Sequence, residues 1–122
     1  MAAACKVKFI VELTGLGEDE TFAESYSTGV PARSIKHYAV IDAANTAQAL
    51  ILGDVATEEL LVIKATSGDI EVDLDCADVA SFDVDFTIAE GKSAIIPQPA
   101  STVYWKGDGA TDAIEYLLIG TA

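Results

Sequence analysis

The sequence predicts an all-β fold, an antiparallel β-sandwich or jelly roll of about 8–10 short strands. Apolar and polar residues alternate along most of the chain, which sends successive side chains to opposite faces of a strand. Turn signals built on Gly, Pro, Asp and Ser recur about every ten residues. Only AANTAQALIL (43–52) reads as helix as readily as strand. The 122 residues fit one domain over 1–122, long enough to bury roughly two thirds of its unfolded surface.

KVKFIVEL (6–13) places Val7, Phe9, Val11 and Leu13 on one side and Lys6, Lys8 and Glu12 on the other. GLGEDE turns the chain, and TFAESYST (21–28) is a weaker strand with Phe22 and Tyr26 on one face. GVPARS (29–34) is a loop, because Pro31 lacks a donor and restrains Val30. SIKHYAVID (34–42) is a strand. In 43–52 the alanines suit a short helix, but the abrupt Gly53-Asp54 stop favours a strand over 48–52. ELLVIKAT (59–66) is apolar on both faces, as in a strand covered on both sides. SAII (93–96) is a strand stopped by Pro97 and Pro99, which places it at a sheet edge or corner. TVYWKG (102–107) and AIEYLLIG (113–120) close the chain across a Gly-Asp-Gly loop.

Between ELLVIKAT and SAII lies DIEVDLDCADVASFDVDF (69–86), with seven carboxylates and no base. Asp69, Glu71, Asp73 and Asp75 alternate with Ile70, Val72, Leu74 and Cys76. Farther on, Phe82, Val84, Phe86 and Ile88 alternate with Asp83, Asp85 and Thr87. This predicts two strands, each with an acidic face toward water. Like charges on neighbouring strands repel, which also discourages edge-to-edge aggregation.

Twenty acids stand against seven bases, a net charge of −13. Such a surface repels phosphates and anionic membranes, which argues against nucleic acid and membrane partners. The start MAAACKVKFIVELT lacks the basic and apolar regions of a signal peptide, and no run reaches the roughly 20 apolar residues of a membrane helix. The reading is a soluble product of a reducing cytoplasm. Cys5 and Cys76 have no metal-type spacing. They read as small core residues, with one bridge between them as the alternative.

E-x-D-x-D (71–75) resembles the head of an EF-hand loop, but the sixth position is Cys76 and the twelfth Phe82, where such a loop needs Gly and Glu. The remaining calcium set is Asp75, Asp78 and Asp83 around the turn, against the simpler reading of a solvated strand face. His37 is the single histidine and shares a strand face with Ile35, Ala39 and Ile41. A catalytic triad would have to use it, yet no nucleophile elbow is present. LTGLGEDE has G-x-G followed by acids where a phosphate needs bare amides. The reading is therefore non-enzymatic, with no cofactor. Tyr104 and Trp105 point opposite ways along a strand. Either both are buried between sheets, or one is a platform for a sugar or a partner protein.

QALILGDVATEELLVIKATSGDIEV (48–72) and FTIAEGKSAIIPQPASTVYWKGDGATDAIEYLLIGTA (86–122) together resemble small virion proteins of tailed bacteriophages. The likeness lies in short words: L-G-D-V before an L-V-I-K strand, an I-P turn-strand, a Y-x-K strand and a closing I-E-Y-L-L-I. The resemblance implies a β-sandwich capsid decoration or head-fibre protein, made in the host cytoplasm and carried on the virion surface. It implies the major capsid protein as partner and a homo-oligomer, a trimer at a symmetry axis. Charge asymmetry points to Lys6, Lys8, Phe9, Val30, Pro31, Arg33 and Lys36 as the capsid-facing set. The alternative is a carbohydrate- or receptor-binding module on a head fibre or tail, using Tyr104 and Trp105. A tail adaptor or tube subunit is the third reading.

Overall fold

The computed structural model describes residues 3–28, 30–99 and 102–122. Gly29, in the expected 29–34 loop, lies outside them, as do Met1, Ala2, Ala100 and Ser101. The chain divides into two compact units, Met1–Pro31 and Ala32–Ala122.

The first unit is a hairpin of β1 (Lys6–Leu13) and β2 (Glu20–Ser27). Its register pairs Val7 with Tyr26, Val11 with Phe22 and Leu13 with Glu20. The connection carries Gly15 and Gly17, both at positive φ near 83° and 84°, a conformation that only glycine adopts without strain. The two strands form a sheet of their own, so the sandwich is built from the eight strands that follow.

Those eight are β3 (Arg33–Val40), β4 (Gln48–Ala49), β5 (Thr57–Ser67), β6 (Ile70–Asp73), β7 (Phe86–Ile88), β8 (Ser93–Pro97), β9 (Tyr104–Gly107) and β10 (Ala113–Thr121). They form two antiparallel four-stranded sheets, ordered β3-β10-β5-β8 and β4-β9-β6-β7. The chain crosses between sheets at every step except β6 to β7, which gives the strand order of a jelly roll. β8 lies at the edge of its sheet, a position that suits its last residue, Pro97, which has no donor for a ladder.

The core lies between these sheets. Leu61, Ile63 and Ala65 of β5 and Ile114, Tyr116 and Leu118 of β10 meet Ile70 and Val72 of β6, Ile88 of β7 and Trp105 of β9. The every-second-residue rhythm supplies these faces, and each large apolar side chain buried contributes roughly 1.5–3 kcal/mol. Ile35, Ala39 and Ala94 pack against the cluster from the edge strands. His37 lies half-buried on the same β3 face, edge-on to Tyr116 with ring centroids 5.7 Å apart.

On the outer face of β5, Leu60 is buried, Val62 half-buried and Lys64 exposed, so only part of that face is covered. The 43–52 segment is neither helix nor a full strand. Asn45 takes a positive φ of 59°, and only Gln48–Ala49 pairs, with Trp105 and Tyr104. Cys5 and Cys76 are free thiols, so the bridge alternative falls. No helix among the described residues is long and apolar enough to cross a membrane.

Candidate functional site

The hairpin is amphipathic. Residues opposite each other across an antiparallel pair share a face, so Val7, Phe9, Val11 and Leu13 lie with Phe22 and Tyr26. Lys6, Lys8, Ile10 and Glu12 lie on the other face with Thr21, Ala23, Ser25 and Ser27. The Phe9 and Phe22 rings stack at 5.9 Å and 20°. Beside them Val11, Leu13, Glu20, Thr21 and Phe22 line an open depression of about 510 Å³. Val11 and Phe22 are each 59% exposed, Ile10 66% and Leu16, at the tip, 76%. Val11, Leu13 and Phe22 share one exposed apolar face, and Ile10 is exposed on the other.

The sequence-derived capsid-facing set divides between the two units. Lys6 and Lys8 share one exposed face of β1, whereas Phe9 points to the opposite face. Val30 is exposed and Pro31 half-buried at the end of the first unit. Arg33 and Lys36 belong to β3 in the second unit, and their odd and even positions put them on different faces. Arg33 donates to its neighbour's carbonyl, Ala32 O, at 2.9 Å. Lys36 faces Glu115 at 3.5 Å in an exposed ion pair, an arrangement worth about 0–1 kcal/mol.

The acidic stretch is not two open strands. β6 ends at Asp73, and Asp73 is buried, 2% exposed. Its Oδ1 accepts the Asp75 N–H at 3.1 Å and its Oδ2 the Asp83 N–H at 2.8 Å. Asp85 Oδ2 accepts the Leu74 N–H at 2.8 Å, and the Asp85 N–H returns to Val72 O. Carboxylate oxygens of Asp73, Asp75 and Asp85 lie within 4.8 Å of one another. The calcium set Asp75, Asp78 and Asp83 is therefore corrected. Asp78 caps the 3-10 turn Val79–Ser81 through the Ser81 N–H, and Asp83 contributes its amide to Asp73. Calcium takes about six to eight oxygens, and two of the three clustered carboxylates already hold main-chain amides.

These contacts set the protonation. The Asp83 amide, chiefly, holds Asp73 below its ordinary value, with the Asp75 amide assisting. Asp75 is pushed up, first by its hydrogen bond to Asp73 and then by the charge of Asp85. Burial, with the nearby Asp73 charge second, raises the Cys76 thiol. That thiol donates to Asp78 O at 2.9 Å; it is a loop fastening, not a nucleophile.

Trp105 is 1% exposed. That corrects the platform reading for Trp105, since a sugar would need an open ring face. Tyr104 is half-buried. Lys106 sits 5.0 Å above the Phe82 ring and 4.0 Å from Glu71, tying the acidic segment down.

Comparison with protein-family models, with curated proteins and with solved structures found no match.

Sequence reasoning named Lys6, Lys8 and Phe9 but passed over the exposed apolar set Ile10, Val11, Leu16 and Phe22. The alternation was visible. What it lacked was any sign that, among the described residues, these two strands pair with each other alone.

Proposed function

We propose that this chain is a non-enzymatic structural subunit of a tailed-phage particle, a capsid decoration protein that binds across neighbouring major capsid subunits. One observation carries the reading: an amphipathic hairpin that forms its own compact unit and leaves Val11, Leu13, Leu16 and Phe22 exposed. A two-stranded ribbon is marginal by itself, and burying its apolar face against a larger body is what stabilises it. Main-chain pairing of its β2 edge with an extended capsid arm would add affinity. Lys6 and Lys8 are local positive charge on a chain of net −13, and they steer the hairpin toward acidic subunits while the rest of the surface is repelled.

The resemblance of residues 48–122 to virion proteins supports the same reading. So does the jelly-roll order, although folds of this kind host many functions. Burial of Trp105 takes away one of the two rings that a carbohydrate-binding module would use.

Quantitative mass spectrometry of purified particles tests the proposal. A copy number equal to that of the major capsid protein, or a simple fraction of it, is the expected result. A handful of copies would move the protein to a vertex or the tail. Absence from particles would overturn the virion reading. Within a shell-binding assay, Lys6→Glu with Arg33→Glu should weaken attachment, and unchanged attachment would discard the basic docking set.

A further inference from the structure

The Thr28 N–H donates to Cys5 O at 3.0 Å, closing the base of the hairpin. That bond sets the phase of β1, because main-chain groups alternate in direction along a strand. Cys5, Val7, Phe9, Val11 and Leu13 direct their N–H and C=O groups at β2. Lys6, Lys8, Ile10 and Glu12 direct theirs outward. Among the described residues β2 is the one strand paired with β1, so this outward row is an open edge. An open edge is a template for another strand.

The side chains along the edge state which strand fits. β1 carries bases at its start, Lys6 and Lys8, and an acid near its end, Glu12. Turned end for end, the same strand presents Glu12 where the first presents lysine. β2 offers no such match: its charges are Glu20 and Glu24, with no base between them. Self-pairing through β2 centred on Phe22 would set Glu20 directly against Glu24, and like charges in that position are destabilising.

We infer that β1 pairs with β1 of a second copy of this chain, antiparallel and about a two-fold axis at Ile10. In this register Lys8 lies opposite Glu12 twice, Val7 opposite Leu13 and Phe9 opposite Val11. A register centred on Phe9 also opposes lysine and Glu12, but it leaves Leu13 against Cys5. The Ile10 register matches all four residues of the strand's apolar face, Val7, Phe9, Val11 and Leu13. The product is a four-stranded sheet ordered β2-β1-β1-β2. Its apolar face joins Phe9, Val11 and Phe22 of both copies, and four strands meet the threshold at which a sheet with an apolar face is stable. The stoichiometry is two, against the three that the virion resemblance implies, and the inference stands independently of that resemblance.

The test is light scattering coupled to size-exclusion chromatography on the full chain, in low salt where exposed ion pairs are least screened. The wild type is expected at twice the chain mass. Lys6→Glu with Lys8→Glu makes the charged positions of β1 all acidic, and Glu12→Lys makes them all basic. Each variant alone should run at half the wild-type mass. An equimolar mixture, acidic strand against basic strand, should return to the doubled mass. The substituted side chains are exposed, so circular dichroism should show both variants folded. A monomeric or trimeric wild type, or a mixture that stays monomeric, overturns the inference.

Discussion

The Tyr116 hydroxyl closes a ring with the main chain of Ile51, donating to Ile51 O at 2.8 Å and accepting from Ile51 N at 3.0 Å. The two residues are 65 positions apart. Tyr116 lies in the centre of the β3-β10-β5-β8 sheet, while Ile51 follows β4 at the edge of the other. One side chain therefore ties an irregular loop across the sandwich. Two polar groups that β4 is too short to satisfy find a partner in the core.

Tyr116→Phe keeps the ring and removes both bonds. The expected loss is roughly 1–3 kcal/mol, since a donor and an acceptor lose their partner together. A lowered midpoint in urea with an unchanged slope is the check. Burial raises the Tyr116 hydroxyl above its ordinary value near 10. A raised value means a stabilising contribution that is complete below the ordinary value and lost as pH rises through the folded one. Wild-type stability should therefore fall above about pH 10 more steeply than that of the phenylalanine variant.

Trp105 fills the middle of the sandwich at 1% exposure. Trp105→Ala should cost about 3–5 kcal/mol. The wild-type emission should be blue-shifted and unmoved by added oligosaccharides. Quenching by a sugar would restore the carbohydrate-binding alternative.

The fold was legible wherever period two was the whole story. Strands 34–42, 59–66, 93–96, 102–107 and 113–120 were all found, and Pro97 marked an edge because a missing donor is a local property. Asp73 was misread as solvent-facing because its burial depends on the Asp83 amide ten residues away. No alternation within one strand contains that partner. β7 shortened to Phe86–Ile88 for the same reason, since 83–85 is occupied with holding the loop. The hairpin was read correctly in its faces and missed in its setting, because a pattern says which side is apolar and not what lies against it.

Gly68 and Gly91 both hold positive φ, at 77° and 81°, yet they should respond differently to alanine. A Cβ on Gly91 meets open space, so the cost is the left-handed backbone alone, roughly 1–2 kcal/mol. A Cβ on Gly68 lands on the buried carboxylate of Asp112, which accepts the Gly109 N–H at 3.1 Å and is itself overhung by Gly107. Gly68→Ala should therefore lower the unfolding midpoint several times more than Gly91→Ala. Equal losses would mean that Asp112 moves aside freely.

Asp73 and Asp75 are neighbours in one loop with opposite dependence on pH. Asp73 is lowered by the amides it accepts, so its contribution is present above the ordinary carboxylate value near 3.8 and fades as pH falls through the folded one. Asp75 is raised by its hydrogen bond to Asp73 and the charge of Asp85. Its contribution is present below that ordinary value and is lost as pH rises through the folded one, which leaves an ionised Asp75 opposed at neutral pH. Asp73→Asn should accordingly lower the melting temperature at pH 7, and Asp75→Asn should raise it. Both differences should shrink as pH is taken toward about 3, where the carboxylates take up protons. Melting curves of the three proteins from pH 3 to 8 decide the point. A gain from Asp75→Asn that persisted undiminished in acid would show that charge is not its cause.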